Sequence, residues 1–328
     1  MKLRQVSNKL IQYRLSAILL KAEQPFNHKQ MCGILVLDIY CHIFGDKRMS
    51  LKQFFRGRLL AIGGNEDKAN DLIVLKRVIQ EVGKSDFKVG VITTASEDPQ
   101  QRGEDYHRVF SDLGASGIEL LHIGTRAQAN DALFTDMLEN VDLIFITGGD
   151  QLRLTTILGG SKILGTIKNR LENGAVVVGT SAGAAVFSDI MIYEGKSEEG
   201  LFKGRVLTTS GFSFVENIVF DTHFMSRGRI GRLVQIVTTN PSCIGVGIGE
   251  DSGVIVSGDG IAEVIGTGQV IIVDGSDITH SNIMDIEPGR PIAVENVRIH
   301  SLVDGYRYSF TERRFLAPPR KLEKTIDD

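Results

Sequence analysis

The run Gly-Thr-Ser-Ala-Gly at residues 179–183 places a hydroxyl nucleophile between small residues, a pattern suited to acyl transfer. The apolar residues 174–178 before it predict a buried strand, and the small residues 182–187 after it predict a helix that begins at once. Such a turn lifts the Ser181 hydroxyl above the edge of a sheet, beside a helix N-terminus that can stabilise an oxyanion. An ordinary strand-to-helix connection is the alternative, because five-residue patterns recur by chance.

A serine nucleophile needs a neighbouring base to take its proton, and His223 is the best-placed histidine. It directly follows a predicted strand at residues 217–221, which would put it at the same sheet edge as Ser181. His280 and His300 lie in a β-rich C-terminal part, where a surface or core role is the better interpretation.

The base in turn needs an orienting acid, and two candidates directly follow the predicted strand 244–248: Glu250 and Asp251. The resulting order of serine, histidine and acid differs from that of the α/β-hydrolases, which argues against a lipase or esterase. The oxyanion hole would use the N–H of Ala182 and a second N–H, from Gly149 in the turn after the adjacent strand.

Three arginines follow the candidate base within ten residues: Arg227, Arg229 and Arg232. In the helix predicted over residues 228–239, the last two share a face and the first stands at the start. Most arginine clusters are solvated faces or structural ion pairs, but three guanidinium groups here could also clamp a substrate carboxylate. The second interpretation indicates a hydrolase for a substrate with carboxylates near its scissile bond.

From residue 58 onward, strands and helices alternate with short loops, which predicts an α/β fold with a mostly parallel sheet covered on both faces. We predict strands at residues 58–62, 87–92, 118–122, 141–146 and 174–178. The same sheet is expected to continue through 217–221 and 244–248. From residue 252 onward, short β-rich segments predict antiparallel hairpins on the same domain.

The composition is that of a soluble globular protein: 328 residues, 42% hydrophobic and 23% charged. A net charge of −3 argues against a general nucleic-acid or membrane-surface binder, and no run of about 20 apolar residues predicts a membrane span. The three cysteines show neither metal-ligand spacing nor a disulfide framework, so we expect no metal and a reducing, cytoplasmic location.

The first 48 residues differ from the rest, with a net charge of +5 against −8 for residues 49–328. Their short apolar run is followed by Lys21 and Glu23 without an evident cleavage site, which argues against a signal peptide. We predict an N-terminal extension outside the fold at residues 1–55, one domain at 56–318 and a C-terminal tail at 319–328.

Five motifs, taken together and in order, resemble the cyanophycinases, which are serine peptidases related to the aspartyl dipeptidase peptidase E. The motifs occupy residues 62–68, 145–154, 179–185, 221–233 and 247–251. The resemblance runs from about residue 58 to 318, excludes residues 1–48, and implies a fold like the class I glutamine amidotransferases, which is also flavodoxin-like.

The resemblance implies hydrolysis of cyanophycin, a polyaspartate backbone with arginine joined to each side-chain carboxyl. The products would be β-Asp-Arg dipeptides, released from a chain end through an acyl-enzyme on Ser181. His223 would act as general base and then acid, Glu250 would orient it, and no metal or organic cofactor would be needed. The residues that the resemblance places in the substrate pocket are Gln151, Asp221, Arg227, Arg229 and Arg232.

Two positions depart from the family's pattern: Thr222 stands where well-known cyanophycinases have Gln, and Gly249 where they often have Asp. The substrate could therefore be another aspartyl peptide, as for a peptidase E-like or β-aspartyl dipeptidase. An inactive homologue that binds acidic peptides is the non-enzyme alternative, against which the intact serine, histidine and glutamate argue. The expected partners are this substrate and a second copy in a homodimer, with no nucleic acid and no membrane.

Overall fold

A computed structural model of the chain describes residues 55–318. The predicted tail, and the predicted N-terminal extension apart from Phe55, lie outside the described residues, so this division of the chain stays a prediction. None of the helices between residues 55 and 318 is long and apolar enough to cross a membrane.

The described chain contains fifteen strands and seven α-helices. In chain order, the first half consists of β1 (Arg58–Ile62), α1 (Ile73–Val82), β2 (Lys88–Ile92), α2 (Pro99–Asp112), β3 (Gly117–Leu121), α3 (Ala132–Glu139), β4 (Leu143–Ile146), α4 (Gln151–Leu158), α5 (Lys162–Glu172), β5 (Val176–Thr180) and α6 (Ala182–Ala185). The second half consists of β6 (Ile190–Glu194), β7 (Leu207–Ser210), β8 (Ile218–Asp221), α7 (Ile230–Thr239), β9 (Ile244–Ile248), β10 (Ser252–Val256), β11 (Ile261–Gly266), β12 (Val270–Asp274), β13 (Arg298–Leu302), β14 (Arg307–Ser309) and β15 (Arg314–Leu316). Short 3₁₀ turns lie at Gln128–Asn130 and Ser197–Glu199.

The central sheet has nine strands in the order β15-β14-β11-β10-β1-β5-β4-β2-β3. The five strands from β1 to β3 along this order are parallel, and β10 joins them antiparallel to β1. In β1, Leu59 and Ala61 contact the apolar cluster on one face, while Leu60 and Ile62 contact the cluster on the other. This alternation is why the parallel strands read as continuous apolar runs: both faces of the sheet are buried.

Helices cover both faces of this sheet. Buried side chains of α1 and α2 pack into one apolar cluster, and those of α4 and α5 pack into the other. The predicted class, a mostly parallel α/β sheet between two helical layers with a β-rich C-terminal part, is confirmed.

The prediction that this sheet continues through residues 217–221 and 244–248 was wrong. Those residues form β8 and β9, which belong to a separate four-stranded sheet in the order β13-β12-β9-β8. The helix α7 packs on β9 through Leu233, which lies so close that a Cβ on Gly245 would meet it at 3.0 Å. An apolar run predicts a buried strand but not its pairing partner, so the sequence does not distinguish one sheet from two at these residues.

Asp274, the last residue of β12, links the second sheet to the first. Its carboxylate is fully buried and receives hydrogen bonds from Arg298 at 2.8 Å, from Arg313 and from the Ser276 N–H at 2.9 Å. The hydroxyl of Tyr308 on β14 donates to the same carboxylate at 3.4 Å. These partners offset the cost of burying a charge between the two sheets.

Candidate active site

Ser181 stands at a sharp turn between β5 and α6. Its backbone has φ 53° and ψ −113°, outside the ordinary conformations of a residue with a side chain, and its N–H donates to the Ile62 carbonyl at 3.0 Å. A Cβ on Gly179 would lie 2.1 Å from the carbonyl oxygen of Gly183, so only glycine fits there. The elbow expected around Ser181 is therefore present. The strand before it ends two residues later than expected, and the helix after it is only one turn long.

His223 faces the serine from the end of β8. Its Nε2 lies 2.9 Å from Ser181 Oγ, and its Nδ1 lies 2.7 Å from Glu250 Oε1. The backbone of His223 has φ 49°, and its N–H donates to the Gly63 carbonyl at 2.8 Å, which fixes the ring at the carboxyl end of β1. With the Nδ1 proton donated to Glu250, Nε2 is free to accept the serine proton.

The structure brings Glu250, and not Asp251, to the histidine. The Glu250 carboxylate also accepts hydrogen bonds from Asn65 Nδ2 at 3.2 Å and from the Ser226 hydroxyl at 3.0 Å. The hydrogen bond from His223, followed by those from Ser226 and Asn65, lowers the pKa of Glu250 below its ordinary value. Asp251 instead accepts the Asp67 N–H at 3.0 Å and so holds a neighbouring loop.

The candidate oxyanion donors lie beside the serine. Ala182 opens α6, and the turn at Gly148 and Gly149 follows β4, which pairs directly with β5. A Cβ on Gly148 would lie 3.1 Å from Ser181 Cβ, and one on Gly149 would lie 2.0 Å from the Ala95 carbonyl oxygen. The turn therefore contacts the serine through Gly148 and the loop after β2 through Gly149. The use of the Ala182 and Gly149 N–H groups as an oxyanion hole stays a prediction.

Two of the three predicted substrate arginines are instead paired with Asp221, which is 3% exposed. Arg232 donates from Nη2 to Asp221 Oδ1 at 3.0 Å, and Arg229 donates from Nη1 to the same oxygen at 3.3 Å and to the Thr222 carbonyl at 2.7 Å. Burial raises the pKa of the Asp221 carboxyl, against the opposing effect of both arginines. Burial likewise lowers the pKa of Arg229 to about 10.

This cluster favours the structural ion-pair interpretation for two of the arginines. The Arg232 side chain is only 6% exposed and also donates to the Gly195 carbonyl, which leaves its guanidinium no free face for a substrate. Arg227 is exposed and precedes α7, and its side chain has no ion pair among residues 55–318. Of the three, it is the arginine that is not paired with Asp221, and its role in substrate binding stays a prediction.

The two other residues predicted to contact the substrate, Gln151 and Thr222, lie in the connections that follow β4 and β8. Gln151 opens α4 and donates from Nε2 to the Tyr193 carbonyl at 3.2 Å, while Thr222 is buried directly before His223. The structure thus places Gln151 beside β6 and Thr222 directly after β8, and neither residue lines the cavity described next.

A cavity of about 540 Å³ lies beside Ser181 and His223, which are both part of its lining. Ser181, His223 and the turn at Gly148 line one part of it, and the loops after β1 and β2 and the first half of α2 line the rest. Neither the five residues that the resemblance places in the substrate pocket nor Thr222 beside them, also expected to contact the substrate, lines this cavity. The residues that sequence reasoning missed are Glu66, Lys68, Ser96, Glu97, Asp98, Gln101, Arg102, Asp105 and Tyr106.

Glu66 is a buried carboxylate at the floor of this cavity. It accepts hydrogen bonds from the Thr180 hydroxyl at 2.7 Å and from the Tyr106 hydroxyl, and Lys68 Nζ lies 3.2 Å from it. Burial, followed by the nearby Glu66 charge, raises the pKa of Tyr106 well above its ordinary value. The hydrogen bond to Thr180 holds the residue that directly precedes the candidate nucleophile.

The arrangement as a whole can perform nucleophilic acyl transfer. A hydroxyl, an imidazole and a carboxylate form one continuous line of hydrogen bonds that opens into a charged cavity. Among the described residues there is no group of three or more His, Cys, Asp or Glu side chains that could hold a metal ion.

Comparison with known proteins adds the family context. The model of peptidase family S51 matches residues 59–264. A cyanophycinase from Geminocystis herdmanii is 36% identical over 260 residues, which cover 79% of this chain and 96% of that protein. A cyanophycinase from Synechococcus elongatus is 34% identical over 269 residues, covering 80% and 84%. A peptidase E from Nostoc sp. is 25% identical over 206 residues, covering 59% and 79%.

A solved structure supports the fold. The crystal structure of a peptidase from an acI-B1 actinobacterium matches with a TM-score of 0.58 at 20% sequence identity, covering 78% of this chain and 98% of that one. At this identity the match bears on the fold alone.

Proposed function

The chain belongs to peptidase family S51, and from that premise we propose that it hydrolyses cyanophycin to β-Asp-Arg dipeptides through an acyl-enzyme on Ser181. The observation that carries the proposal is the line of hydrogen bonds from Ser181 through His223 to Glu250 beside a charged cavity. The relatives that share 34–36% identity over about four fifths of the chain are cyanophycinases, which favours this substrate over a dipeptide.

In the proposed mechanism, Ser181 Oγ attacks the scissile carbonyl carbon while its proton passes to His223 Nε2. The Ala182 and Gly149 N–H groups stabilise the negative oxygen of the tetrahedral intermediate. His223 then gives its proton to the leaving amine, and the C–N bond breaks to leave an ester on Ser181. A water molecule attacks the ester by the same steps in reverse order, and the serine regains its proton.

Glu250 contributes to this mechanism by holding the Nδ1–H of His223, which sets the tautomer and stabilises the imidazolium. The lowered pKa of Glu250 keeps its carboxylate charged for this role. Asn65 and Ser226 hold that carboxylate in turn, so we assign them a positioning role.

The charges of this substrate are complementary to two kinds of charged group near the nucleophile. Acidic residues outnumber basic ones in the cavity lining, and Arg227, four residues after His223, presents an exposed guanidinium. A polymer that carries both carboxylates and guanidinium groups can use both kinds of group.

An aspartyl dipeptidase is the alternative that a specific observation favours. Thr222 is buried directly before His223, and its short side chain offers less reach than the Gln that the family resemblance leads one to expect. A peptidase E relative also matches the chain, at 25% identity. An inactive homologue that binds acidic peptides is the non-enzyme alternative.

The test is incubation of the purified full chain with insoluble cyanophycin, with soluble products identified by mass spectrometry. We expect β-Asp-Arg from the unaltered chain and none from Ser181→Ala. Ser210→Ala, which removes an exposed hydroxyl on β7, is the matched control and should retain activity. Cleavage of α- or β-aspartyl dipeptides without any release from cyanophycin would reassign the substrate. Inertness toward all of them, with acidic peptides still bound, would leave the binding homologue.

A further inference from the structure

The cavity beside Ser181 carries more negative than positive charge. Its lining includes two cations, Lys68 and Arg102, and four carboxylates, which are Glu66, Glu97, Asp98 and Asp105. Lys68 lies 3.2 Å from the buried carboxylate of Glu66 and is neutralised there. The remaining acidic residues lie in the loop before α2 and in the first half of that helix, so this part of the cavity keeps an acidic surplus.

Asp105 is already occupied in that part of the cavity. It accepts a hydrogen bond from Gln101 Nε2 at 3.2 Å and from Arg108 at 3.1 Å, and Arg102 lies 3.8 Å away. Glu97, in contrast, is exposed, and its side chain makes no hydrogen bond or ion pair with any residue from 55 to 318. It is the carboxylate in the lining that is free to receive a ligand.

The backbone around Glu97 is fixed although its side chain is free. The Ser96 hydroxyl donates to the Asp98 carbonyl at 2.9 Å and accepts the Asp98 N–H at 3.2 Å. Asp98 in turn caps α2 by accepting the Gln101 N–H at 3.0 Å, and Pro99 opens the helix. A pre-organised loop lowers the entropy that ligand binding must overcome.

This loop also contacts the candidate oxyanion turn. The Asp150 N–H donates to the Ala95 carbonyl at 2.9 Å, and a Cβ on Gly149 would lie 2.9 Å from the backbone nitrogen of Ser96. Glu97 thus directly follows Ser96, whose backbone contacts the turn beside Ser181. Because Glu97 and Ser181 line the same cavity, one substrate molecule in that cavity can contact both residues.

We infer that Glu97, with Asp98 beside it, binds a guanidinium group of the substrate and so selects arginine-bearing peptides. This inference rests on the proposed function and names the residue that recognises the substrate's cationic side chain. A carboxylate accepts two parallel, charge-assisted hydrogen bonds from a guanidinium. A ureido group also carries N–H donors, but it is neutral, so its hydrogen bonds to a carboxylate lack the contribution of the positive charge.

The decisive experiment measures binding, without turnover, to the full chain carrying Ser181→Ala. The ligands are synthetic β-Asp-Arg oligomers of three units and the same oligomers with citrulline in place of arginine, titrated by calorimetry. We expect the arginine oligomer to bind roughly tenfold more tightly than the citrulline oligomer, because one charge-assisted pair is lost with citrulline. Adding Glu97→Gln should remove most of this difference while it leaves citrulline binding unchanged.

The matched control is Glu104→Gln, which removes an exposed carboxylate of α2 outside the cavity lining. It should preserve the preference for arginine. Equal binding of the two oligomers by the Ser181→Ala protein would overturn the inference, as would equal weakening of both by Glu97→Gln or loss of the preference in the control.

A parallel hydrolysis assay of the unaltered chain separates this inference from the proposed function. Cleavage of both oligomers at the same rate, with no binding preference, would overturn the role of Glu97 and keep the peptidase. A preference in binding that depends on Glu97, without any cleavage, would support the recognition site and overturn the proposed hydrolysis.

Discussion

Gly64 lies against the ring of His223 so closely that a Cβ on it would stand 2.5 Å from Nε2 and 3.2 Å from Ser181 Cβ. Its φ of 93° is also a conformation that only glycine adopts without strain. The turn after β1 thus approaches the serine and histidine as near as a backbone can, and it forms the wall against which the imidazole rests.

We therefore predict that Gly64→Ala displaces the His223 ring and lowers kcat at least 100-fold. Gly114→Ala is the matched control, because Gly114 has a similar φ of 89° but no atom within 4 Å of the added carbon. Both changes should cost about 1 kcal/mol of stability from backbone strain. Thermal unfolding and kinetics on the same samples check this, and similar kcat values for the two variants would contradict it.

Glu250→Gln should lower kcat by roughly 10²–10⁴-fold, because the charge that stabilises the imidazolium is lost. Asp251→Asn is the control: it neutralises the adjacent acid, which faces Asp67 and Thr267 and not the histidine. We expect it to leave kcat within about threefold of the unaltered value. For comparison, a tenfold change in kcat corresponds to about 1.4 kcal/mol of activation free energy. Comparable losses of activity in the two variants would argue against the assignment of Glu250.

The difference in stability between the unaltered chain and Glu250→Gln should depend on pH. Because the pKa of Glu250 is lowered in the folded protein, its stabilising effect is fully present above the ordinary carboxyl value and is lost as the pH falls through the lowered value. The melting temperatures of the unaltered chain and of Glu250→Gln should therefore differ at neutral pH and converge in acid. A difference that stays constant down to that range would contradict this account.

Thr180→Val should destabilise the fold by about 1–3 kcal/mol, because the buried Glu66 carboxylate loses a donor at 2.7 Å. Thr147→Val is the matched control at the end of the neighbouring strand β4. The Thr147 hydroxyl is buried without a hydrogen-bond partner among the described residues, so its replacement should be neutral or stabilising. Chemical denaturation of both variants measures the contrast, and equal costs would refute it.

Asp274→Asn should destabilise the fold by about 3 kcal/mol, since it removes a buried charge from between Arg298 and Arg313. Asp277→Asn is the control, because Asp277 pairs with the same Arg298 but is largely exposed, and it should cost less than about 1 kcal/mol. Burial opposes ionisation of Asp274, but the Ser276 N–H and Arg313 outweigh it and lower the pKa. The stabilisation is therefore present above the ordinary value and lost as the pH falls through the lowered one, which denaturation at several pH values will show.

The elbow and the parallel strands could be predicted from the sequence because they leave strong local signals. Buried parallel strands produce uninterrupted apolar runs, and the glycines around Ser181 mark positions where backbones nearly touch. The pairing of β8 and β9 could not be predicted, because a strand's apolar run looks the same in either sheet.

The charged residues show a different limit. The sequence around Arg229 and Arg232 is the same whether these arginines bind a substrate or pair with the buried Asp221. Only their hydrogen bonds to Asp221 distinguish the second role from the first. Likewise, Glu250 and Asp251 are adjacent and chemically alike, so the sequence left the acid open until the positions of their side chains separated them. Glu97 gave no signal in the sequence, because two adjacent acidic residues in a polar loop are ordinary.

Glu250 lies in the three-residue connection between β9 and β10, and these strands belong to different sheets. β9 pairs with β12, which ends at Asp274, and β10 pairs with β1 near the start of the fold. On the ribosome, the acid of the proposed triad can therefore be positioned only after more than twenty further residues have emerged. We expect nascent chains stalled before β12 to hydrolyse nothing, so that peptidase activity appears only after β12 has been made.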